Sequence, residues 1–237
     1  MHKEIKRAST MMRIAAGLID LLLLAVVIWG VGLGTANLFD TQGKLDAVNG
    51  IYEEYGQKYN IDFNITEEEA SVMTEEELDA YYARYEAAVE AMEADKESNT
   101  LLWDFGFSVL MVLLISILCA HLLLELLVPL LLKNGQTIGK KLFGVALMRK
   151  SGIRVSALSM FVRSILGKGL LEIFVPSLVL GLMLFGVSSL LIYPVLILAG
   201  VQICLLAIHP NRALIHDLIA GTVAVDYIAQ HISDSNE

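Results

Sequence analysis

Three long apolar runs constrain this chain more than any other feature of its sequence. They cover residues 14–34, 105–132 and 170–208. A helix needs about 20 apolar residues to cross the hydrocarbon core of a bilayer, so each of the first two runs can form one span. The third run has 39 residues, which is too long for one ordinary span and suits two short spans with a turn at residues 186–189. The sequence therefore predicts four spans, with three spans as the alternative if the last run does not turn.

The distribution of charge predicts which side of the membrane each connecting segment occupies. Residues 1–13 carry four basic side chains and one acidic one, residues 133–168 carry eight basic and no acidic ones, and residues 36–100 carry seventeen acidic and four basic ones. Lys and Arg near the ends of spans stay on the cytoplasmic side. We therefore expect a multi-pass protein of the cell membrane, with both termini cytoplasmic and residues 36–100 outside. Trp29 and Trp103 then fall near the outer interface, which indole rings favour.

The acidic segment has the pattern of a helical hairpin. Thr66 with Glu69, and Thr74 with Glu77, fit the capping box that begins a helix. Apolar residues recur at helical spacing after the second box, so one face can pack on a partner helix. The acids either bind cations or form a solvated helix surface. The solvated surface is favoured because the segment has no calcium-loop spacing.

The basic segment predicts a small β-structure followed by a helix. Residues 142–148 and 153–156 flank a turn sequence with Gly152, which is typical of a hairpin, and residues 222–227 form a third β-prone run. We expect these three runs to form a small cytoplasmic sheet, because a lone hairpin is marginal in water. Residues 156–168 resemble an amphipathic helix that leads into the third span.

Four basic side chains of the inner segment are expected at the lipid surface. Arg163 and Lys168 can reach headgroups from the amphipathic helix, and Lys140 and Lys141 are expected to be topology charges that face anionic lipids. The loop at residues 135–141 superficially resembles a phosphate loop. It does not qualify, because its glycines are one residue too close and Lys141 stands where a magnesium-binding hydroxyl is required.

Ionisable residues inside the predicted spans are candidates for a functional site, because a charge in the bilayer needs a partner. Arg13, Gly17 and Asp20 are spaced four and three residues apart, on one helix face, where Gly17 would let another backbone approach closely. Asp20 lies about 10 Å and Glu125 about 12 Å inside the inner boundary, and His121 is one turn from Glu125. Such a set can exchange protons for ions. It can equally serve only to hold the helices together.

Four sequence blocks, taken in order, resemble the RDD family of bacterial membrane proteins, which is named for one Arg and two Asp. The blocks are MRIAAGLIDLLLL, GQTIGKKLFGVALMRKSGIRVS, FVRSIL and ALIHDLIAGTVAV. By this resemblance Arg13, Asp20 and Asp217 take the three named positions. The likeness covers residues 11–34 and about 115–227, so the acidic segment resembles an insertion. The resemblance implies a helical inner-membrane protein, with transport, including sodium–proton exchange, suggested for some members. It also favours four spans, because Asp217 must serve the same structure as Arg13.

The predicted fold class is an all-α membrane protein, a four-span helical bundle with an acidic extracytoplasmic helical hairpin and a small cytoplasmic β-sheet. Its segments are an N-terminal basic segment with the first span (1–35), the acidic insertion (36–100), the second span (101–132), the basic loop (133–169), the third and fourth spans (170–208) and a cytoplasmic C-terminal segment (209–237).

Two functions stay open at this point. The first is a small cation or proton transporter, or its accessory subunit, in which Asp20, His121 and Glu125 titrate. A transporter of this size is expected to be a homo-oligomer. The second is a scaffold or assembly factor whose acidic hairpin binds a partner protein. We expect no enzyme activity, no cofactor and no nucleic acid as partner, because no nucleophile–base pair and no metal-ligand pattern is present.

Overall fold

Four helices in the structure are long and apolar enough to cross a membrane. The structure is a computed structural model and describes residues 5–132, 135–210 and 213–230. The four helices are Thr10–Leu38, Lys96–Leu131, Ala157–Met183 and Ser189–Ile208. The predicted division of the third apolar run is therefore confirmed. The amphipathic helix expected before the third span is continuous with that span rather than separate from it.

The first span is a single helix, α1 (Thr10–Leu38). The second consists of α5 (Lys96–His121), a π-helical segment π1 (Leu122–Leu127) and α6 (Val128–Leu131). The third consists of α8 (Ala157–Phe161), a longer π-helical segment π2 (Val162–Phe174) and α9 (Val175–Leu184). The fourth consists of a 3₁₀ turn (Ser189–Leu191) and α10 (Ile192–Ile208). Between the last two spans Gly186 adopts a positive φ of 74°, which favours glycine.

Each π-helical segment is followed by a proline in the first turn of the next helix, Pro129 in α6 and Pro176 in α9. Proline has no N–H and its ring clashes with the carbonyl four residues earlier, so a regular α-helix cannot continue through it. A local π-helical register is one way in which a helix accommodates such an interruption. Pro129 has no N–H to donate to the carbonyl oxygen of Glu125, four residues earlier. This oxygen instead accepts a hydrogen bond from the hydroxyl of Ser164 at 2.5 Å. The proline thus frees a backbone acceptor that ties the second span to the third.

The small sheet pairs β1 (Val145–Arg149) with β2 (Thr222–Asp226) in antiparallel register, with Leu147 opposite Ala224. Both faces of β1 are buried, which explains why its sequence is apolar without alternation. The expected third strand at residues 153–156 is reduced to one bridge between Met148 and Arg154. On the other edge, the N-terminal segment pairs with β2 through a bridge between Arg7 and Val225, which the sequence did not indicate.

Three short elements complete this part of the chain, namely α7 (Ile138–Leu142), α11 (Ile215–Ala220) and the bend at residues 150–152. The predicted hairpin turn is present at that bend, where the N–H of Gly152 donates to the carbonyl of Arg149 at 2.9 Å and Gly152 has a φ of 87°. Residues 1–4, 133–134, 211–212 and 231–237 lie outside the described part, so the predictions for the two ends of the chain are only partly covered by the structure.

Residues 34–112 form one compact unit, and the rest of the described chain forms a second one. The first contains α2 (Thr41–Tyr59), α3 (Glu67–Ser71) and α4 (Glu75–Ala94). Both predicted capping boxes are present, since Thr66 accepts the N–H of Glu69 and Thr74 accepts the N–H of Glu77. Helix α2 packs on α4 around the buried Ile51, Tyr55 and Met92. The placement of this unit outside the membrane stays a prediction.

Candidate functional site

Asp217, in the first turn of α11, is the centre of a buried ion-pair network. Its Oδ1 accepts from Nε of Arg163 at 3.0 Å, and its Oδ2 accepts from Nη2 of Arg13 at 3.3 Å. The hydroxyl of Thr222 and the N–H of Leu214 also donate to this carboxylate. The Asp217 side chain is 1% exposed, so it lies in the interior with two guanidinium groups. Charge-assisted bonds to forked donors are the strong kind, and they tie α1, π2 and α11 together.

The pKa of Asp217 is well below its ordinary value. Burial alone would raise it, but the positive charges of Arg163 and Arg13 outweigh the effect of burial. The carboxylate is therefore ionised at any physiological pH. Asp217 acts in this network as a fixed negative charge and not as a proton carrier.

His216, next to Asp217, links α11 to the third and fourth spans. Its Nδ1 lies 2.8 and 3.0 Å from the two carboxylate oxygens of Glu172. Glu172 also accepts from the side-chain amide of Gln202, and the oxygen of that amide accepts the N–H of Ile215 at 3.1 Å. Burial and the nearby Arg163 lower the pKa of His216, so its neutral form is favoured. The neutral ring donates from Nδ1 to Glu172, because an ionised carboxylate can only accept.

Glu125 and His121, in the second span, form a neighbouring group with π2. Glu125 is 4% exposed and makes an ion pair with Lys168 through Oε1. Nε2 of His121 donates to the backbone carbonyl of Ser164 at 2.7 Å, and His121 is 3% exposed. Within the described chain, Nδ1 of His121 and Oε2 of Glu125 are buried polar atoms without a hydrogen-bond partner. Such atoms are rare in native structures and require an explanation.

Asp20 lies at the N-terminus of α7 and caps it. Its Oδ2 accepts the hydroxyl of Thr137 at 2.5 Å, and its Oδ1 accepts the N–H of Gly139 at 2.8 Å. The first N–H groups of a helix have no partner within it and attract negative charge. The loop that superficially resembled a phosphate loop therefore does hold an anion at its helix start. That anion is a carboxylate of the chain itself.

The close backbone approach predicted for Gly17 is wrong, and the structure places it at Gly139. A Cβ on Gly139 would lie 2.2 Å from the carbonyl oxygen of Ala16 and 2.9 Å from Cγ of Asp20, whereas a Cβ on Gly17 would meet nothing within 4 Å. A glycine is therefore needed in α7, which Asp20 caps, and not in α1, which contains Asp20. Gly17 is exposed on α1.

The expectation that Arg163 and Lys168 reach lipid headgroups is wrong. Arg163 is 4% exposed and bonded to Asp217, and Lys168 is paired with Glu125. A buried carboxylate without a cationic partner is strongly destabilising, so Asp217 and Glu125 require Arg163 and Lys168 as partners inside the protein. Lys141 is exposed on α7, and its proposed role toward lipids is untested.

Lys140 is partly exposed but belongs electrostatically to the same network. Burial and the positive charge of Arg163 lower the pKa of Lys140 to about 8, and the carboxylates of Glu125 and Asp20 offset only part of this effect. Lys140 is therefore coupled electrostatically to the network, and its expected role toward anionic lipids stays a prediction.

The five residues predicted from the sequence therefore occupy three connected places. Arg13 and Asp217 are in contact, as the family resemblance required, while Asp20 binds Thr137 and Gly139. His121 and Glu125 contact π2. The hypothesis that Asp20 and Glu125 share one site stays untested as a functional statement. Their described hydrogen bonds go to different partners.

Sequence analysis missed Thr137 as a partner of Asp20, Arg163 as a partner of Asp217 and Lys168 as a partner of Glu125. It also missed the neighbouring pair of His216 and Glu172. A signal was present for Glu172, which is an ionisable residue inside the third apolar run and therefore the same kind of signal as Asp20. For Arg163 and Lys168 the five-residue spacing places both on one face only in a π-helix, which sequence periodicity does not reveal.

Four membrane-length helices around a buried network of ion pairs define a multi-pass helical membrane protein. The model of the RDD family matches residues 7–221, nearly the whole chain, and the protein therefore belongs to the RDD family. Neither the comparison with curated proteins nor the comparison with solved structures finds a match. In the described residues, no group of three or more His, Cys, Asp or Glu side chains is placed to hold a metal ion.

Proposed function

We propose that this protein carries protons across the membrane in exchange for a cation, and that His121 and Glu125 are the groups that titrate. The observation that supports the proposal is the pair of buried atoms without a described partner, Nδ1 of His121 and Oε2 of Glu125. Leaving a buried polar atom unpaired typically costs about 1–3 kcal/mol, so a structural role alone would favour apolar residues here. A site that must accept and release protons needs such unpaired acceptor atoms.

The neighbours of these two residues support a proton-coupled change. Nε2 of His121 donates to Ser164, so its free Nδ1 is the lone-pair nitrogen that a proton would occupy. Protonation of Glu125 would remove the negative charge that holds Lys168, which is 25% exposed at its side chain and can turn toward water. Proton binding at Glu125 and release of Lys168 are therefore coupled.

The remaining acids suit a structural role better. Asp217 is held ionised by two guanidinium groups, and Asp20 caps α7. We therefore propose that the transport role predicted for Asp20 passes to Glu125 and His121 alone, and that Arg13, Asp20 and Asp217 hold the bundle together. The small number of spans still favours a homo-oligomer as the transporting form.

Flux measured in proteoliposomes tests the proposal. The purified full chain is incorporated into vesicles that contain a pH-sensitive dye, and an inward or outward gradient of Na⁺ or K⁺ is imposed. We expect the gradient to change the internal pH, and we expect Glu125→Gln and His121→Gln to abolish the change. Glu97→Gln is the matched control, because Glu97 is an exposed acid on the same helix.

The outcome that contradicts the proposal is equally clear. If the wild-type protein is folded by size-exclusion chromatography and thermal unfolding but gives no pH change with either cation, His121 and Glu125 are structural. The scaffold function would then be the better hypothesis.

A further inference from the structure

An open groove of about 890 Å³ lies in the compact unit formed by residues 34–112. It is bounded by α2, by the connection that follows α2 and by Tyr85 of α4. Nothing in the transport proposal uses it. The groove is built from one helix face and one loop, and both are fixed by contacts within the unit.

Three aromatic rings form one wall of the groove. Tyr52 and Phe63 have ring centroids 5.1 Å apart at an interplanar angle of 68°, and Phe63 and Tyr85 have centroids 5.8 Å apart at 62°. Tyr52 and Tyr85 are each 39% exposed, so their rings are available to a ligand. Because neighbouring rings are steeply inclined, the three form a corner rather than a flat platform.

The connection that carries Phe63 is held in place, so the corner is preformed. The N–H of Ile61 donates to the carbonyl of Gly56 at 2.9 Å, and the hydroxyl of Tyr81 donates to the carbonyl of Asp62 at 3.0 Å. Phe63 itself packs against the buried residues between α2 and α4. A preformed site does not have to order its own side chains when a ligand binds.

The rim of the groove is polar and negative. It carries the carboxylates of Glu53 and Asp62 and several side-chain amides, and among the described residues that line it none is basic. The nearby Lys58 lies instead over the rings of Tyr55 and Tyr59, at 5.1 and 5.5 Å from their centroids. Lys58 thus contacts a different aromatic pair, and no basic residue is among the described residues that line the corner.

We propose that this groove binds a basic side chain, Arg or Lys, of a peptide segment of a partner protein. Inclined aromatic faces beside carboxylates are the arrangement that attracts an organic cation, through the negative faces of the rings and through direct charge attraction. The excess of acids over bases in residues 36–100, seventeen against four, makes a basic partner complementary and speeds its approach. A sugar ligand is disfavoured, because the steeply inclined rings do not form a coplanar aromatic platform.

The test uses the full chain in nanodiscs of zwitterionic lipid and a fluorescein-labelled peptide of four Arg-Gly repeats as the probe. Binding is followed by fluorescence anisotropy. The same peptide with citrulline in place of arginine has nearly the same shape and no charge, and we expect it not to bind. Tyr52→Ala and Glu53→Gln should each weaken the binding of the arginine peptide by about fivefold.

Two neighbouring residues provide matched controls. Glu54→Gln removes the same charge one position away, and Tyr82→Ala removes an exposed ring of α4, and neither residue lines the groove. Both variants should bind the arginine peptide within about twofold of wild type. Tyr52→Phe keeps the ring and should also keep binding, which separates loss of the corner from loss of the fold.

Three outcomes overturn the proposal. If Glu54→Gln weakens binding as much as Glu53→Gln, the peptide follows the diffuse charge of the unit and not the groove. If the citrulline peptide binds equally well, no cation is recognised. If chitotetraose binds in a Tyr52-dependent manner and the arginine peptide does not, the groove is a glycan site. None of these outcomes affects the transport proposal, which rests on other residues.

Discussion

Asp217 holds three segments of the protein together through its two arginine partners. The free energy of unfolding that is lost by a substitution in this network should differ from one residue to another. Its carboxylate serves both Arg13 and Arg163, whose side chains are 12% and 5% exposed. Removal of Asp217 takes the shared carboxylate away from two buried or nearly buried guanidinium groups, whereas removal of either arginine leaves Asp217 with the other one. The decrease in the free energy of unfolding should therefore depend on which of the three residues is replaced.

We expect Asp217→Asn to lower the free energy of unfolding most, by about 3–5 kcal/mol, because breaking a buried ion pair costs this much. Arg163→Met should cost less, and Arg13→Met least, because Arg13 is the more exposed arginine. Adding Arg163→Met to Asp217→Asn should recover part of the loss, while adding Arg13→Met should recover less. Thermal unfolding in detergent measures the series, with the exposed Arg149→Met as control. Equal losses for Arg13→Met and Asp217→Asn would show that Arg163 is not a real partner.

Lys140 gives a residue-scale prediction about pH. Its pKa is lowered to about 8, while an unfolded chain has the ordinary value of about 10.4. Between these values the unfolded chain binds more protons, so the contribution of Lys140 to stability rises with pH there and is unfavourable below pH 8. The rate at which acetic anhydride modifies Lys140, followed by mass spectrometry, should reach half its maximum near pH 8. Free Nα-acetyl-lysine serves as the reference, and a midpoint shared with this reference would contradict the assignment.

The sequence indicates several residues of the site but does not show which residues are their partners. Asp20 and Glu125 are visible as charges in apolar runs, where a bilayer penalises them, whereas Asp217 was indicated only by the resemblance to the RDD family. The identity of each partner depends on tertiary contacts such as that between Arg163 and Asp217, which are 54 positions apart in the chain. Arg163 was assigned to headgroups because its own segment is amphipathic, and only the packing of α11 against π2 shows otherwise.

At the scale of elements, glycine positions separate close packing from open surface. Gly139 of α7 touches the backbone of α1, while Gly17 of α1 has free space around the position of a Cβ. The sequence places both in helices but does not show which of them is in contact, because a glycine looks the same in either setting. The two positions therefore form a matched pair.

Gly139→Ala should destabilise the protein by about 1–3 kcal/mol, because its Cβ would lie 2.2 Å from the carbonyl oxygen of Ala16 and force α7 away from Asp20. Gly17→Ala should be neutral or stabilise by up to about 1 kcal/mol, since alanine favours a helix and nothing opposes the added methyl group. Thermal unfolding of the two variants in the same detergent gives the comparison. Equal effects of the two substitutions would contradict the docking of α7 on α1.

Elements whose sequence signal is local were predicted better than elements that depend on distant pairing. The spans follow from the length of apolar runs, and both capping boxes follow from residues three positions apart. The sheet is different, because β1 pairs with β2 across 73 to 81 positions, from Arg149 opposite Thr222 to Val145 opposite Asp226, and with residues 153–154 only through a single bridge. A turn signal favoured the neighbouring run, but β2 pairs with β1 along its whole length, and side chains of both strands contribute to two apolar clusters.

At the scale of the whole molecule, the sheet constrains the topology independently of charge. Backbone hydrogen bonds join the N-terminal segment to β2, and β2 to β1, so all three lie on one side of the membrane. An even number of spans must therefore separate residue 8 from residue 145, and residue 149 from residue 222. Two apolar helices lie in each interval. The charge distribution then predicts that the shared side is cytoplasmic.

Thiol labelling tests this topology in a Cys119→Ser, Cys204→Ser background. Ser151→Cys reports on the bend after β1, Tyr227→Cys on the segment after β2, and Ser71→Cys on the acidic unit, and all three positions are exposed. We expect an impermeant maleimide to reach Ser71→Cys in intact cells and to reach Ser151→Cys and Tyr227→Cys only after the membrane is opened. The agreement between Ser151→Cys and Tyr227→Cys tests the sheet, because its strands cannot pair across a bilayer.

The side on which both positions are labelled tests the charge rule separately. If both are labelled in intact cells, the predicted orientation is reversed and the fold is unchanged. Opposite labelling of the two would mean that the last apolar run crosses the membrane once, and the pairing of β1 with β2 would then be wrong.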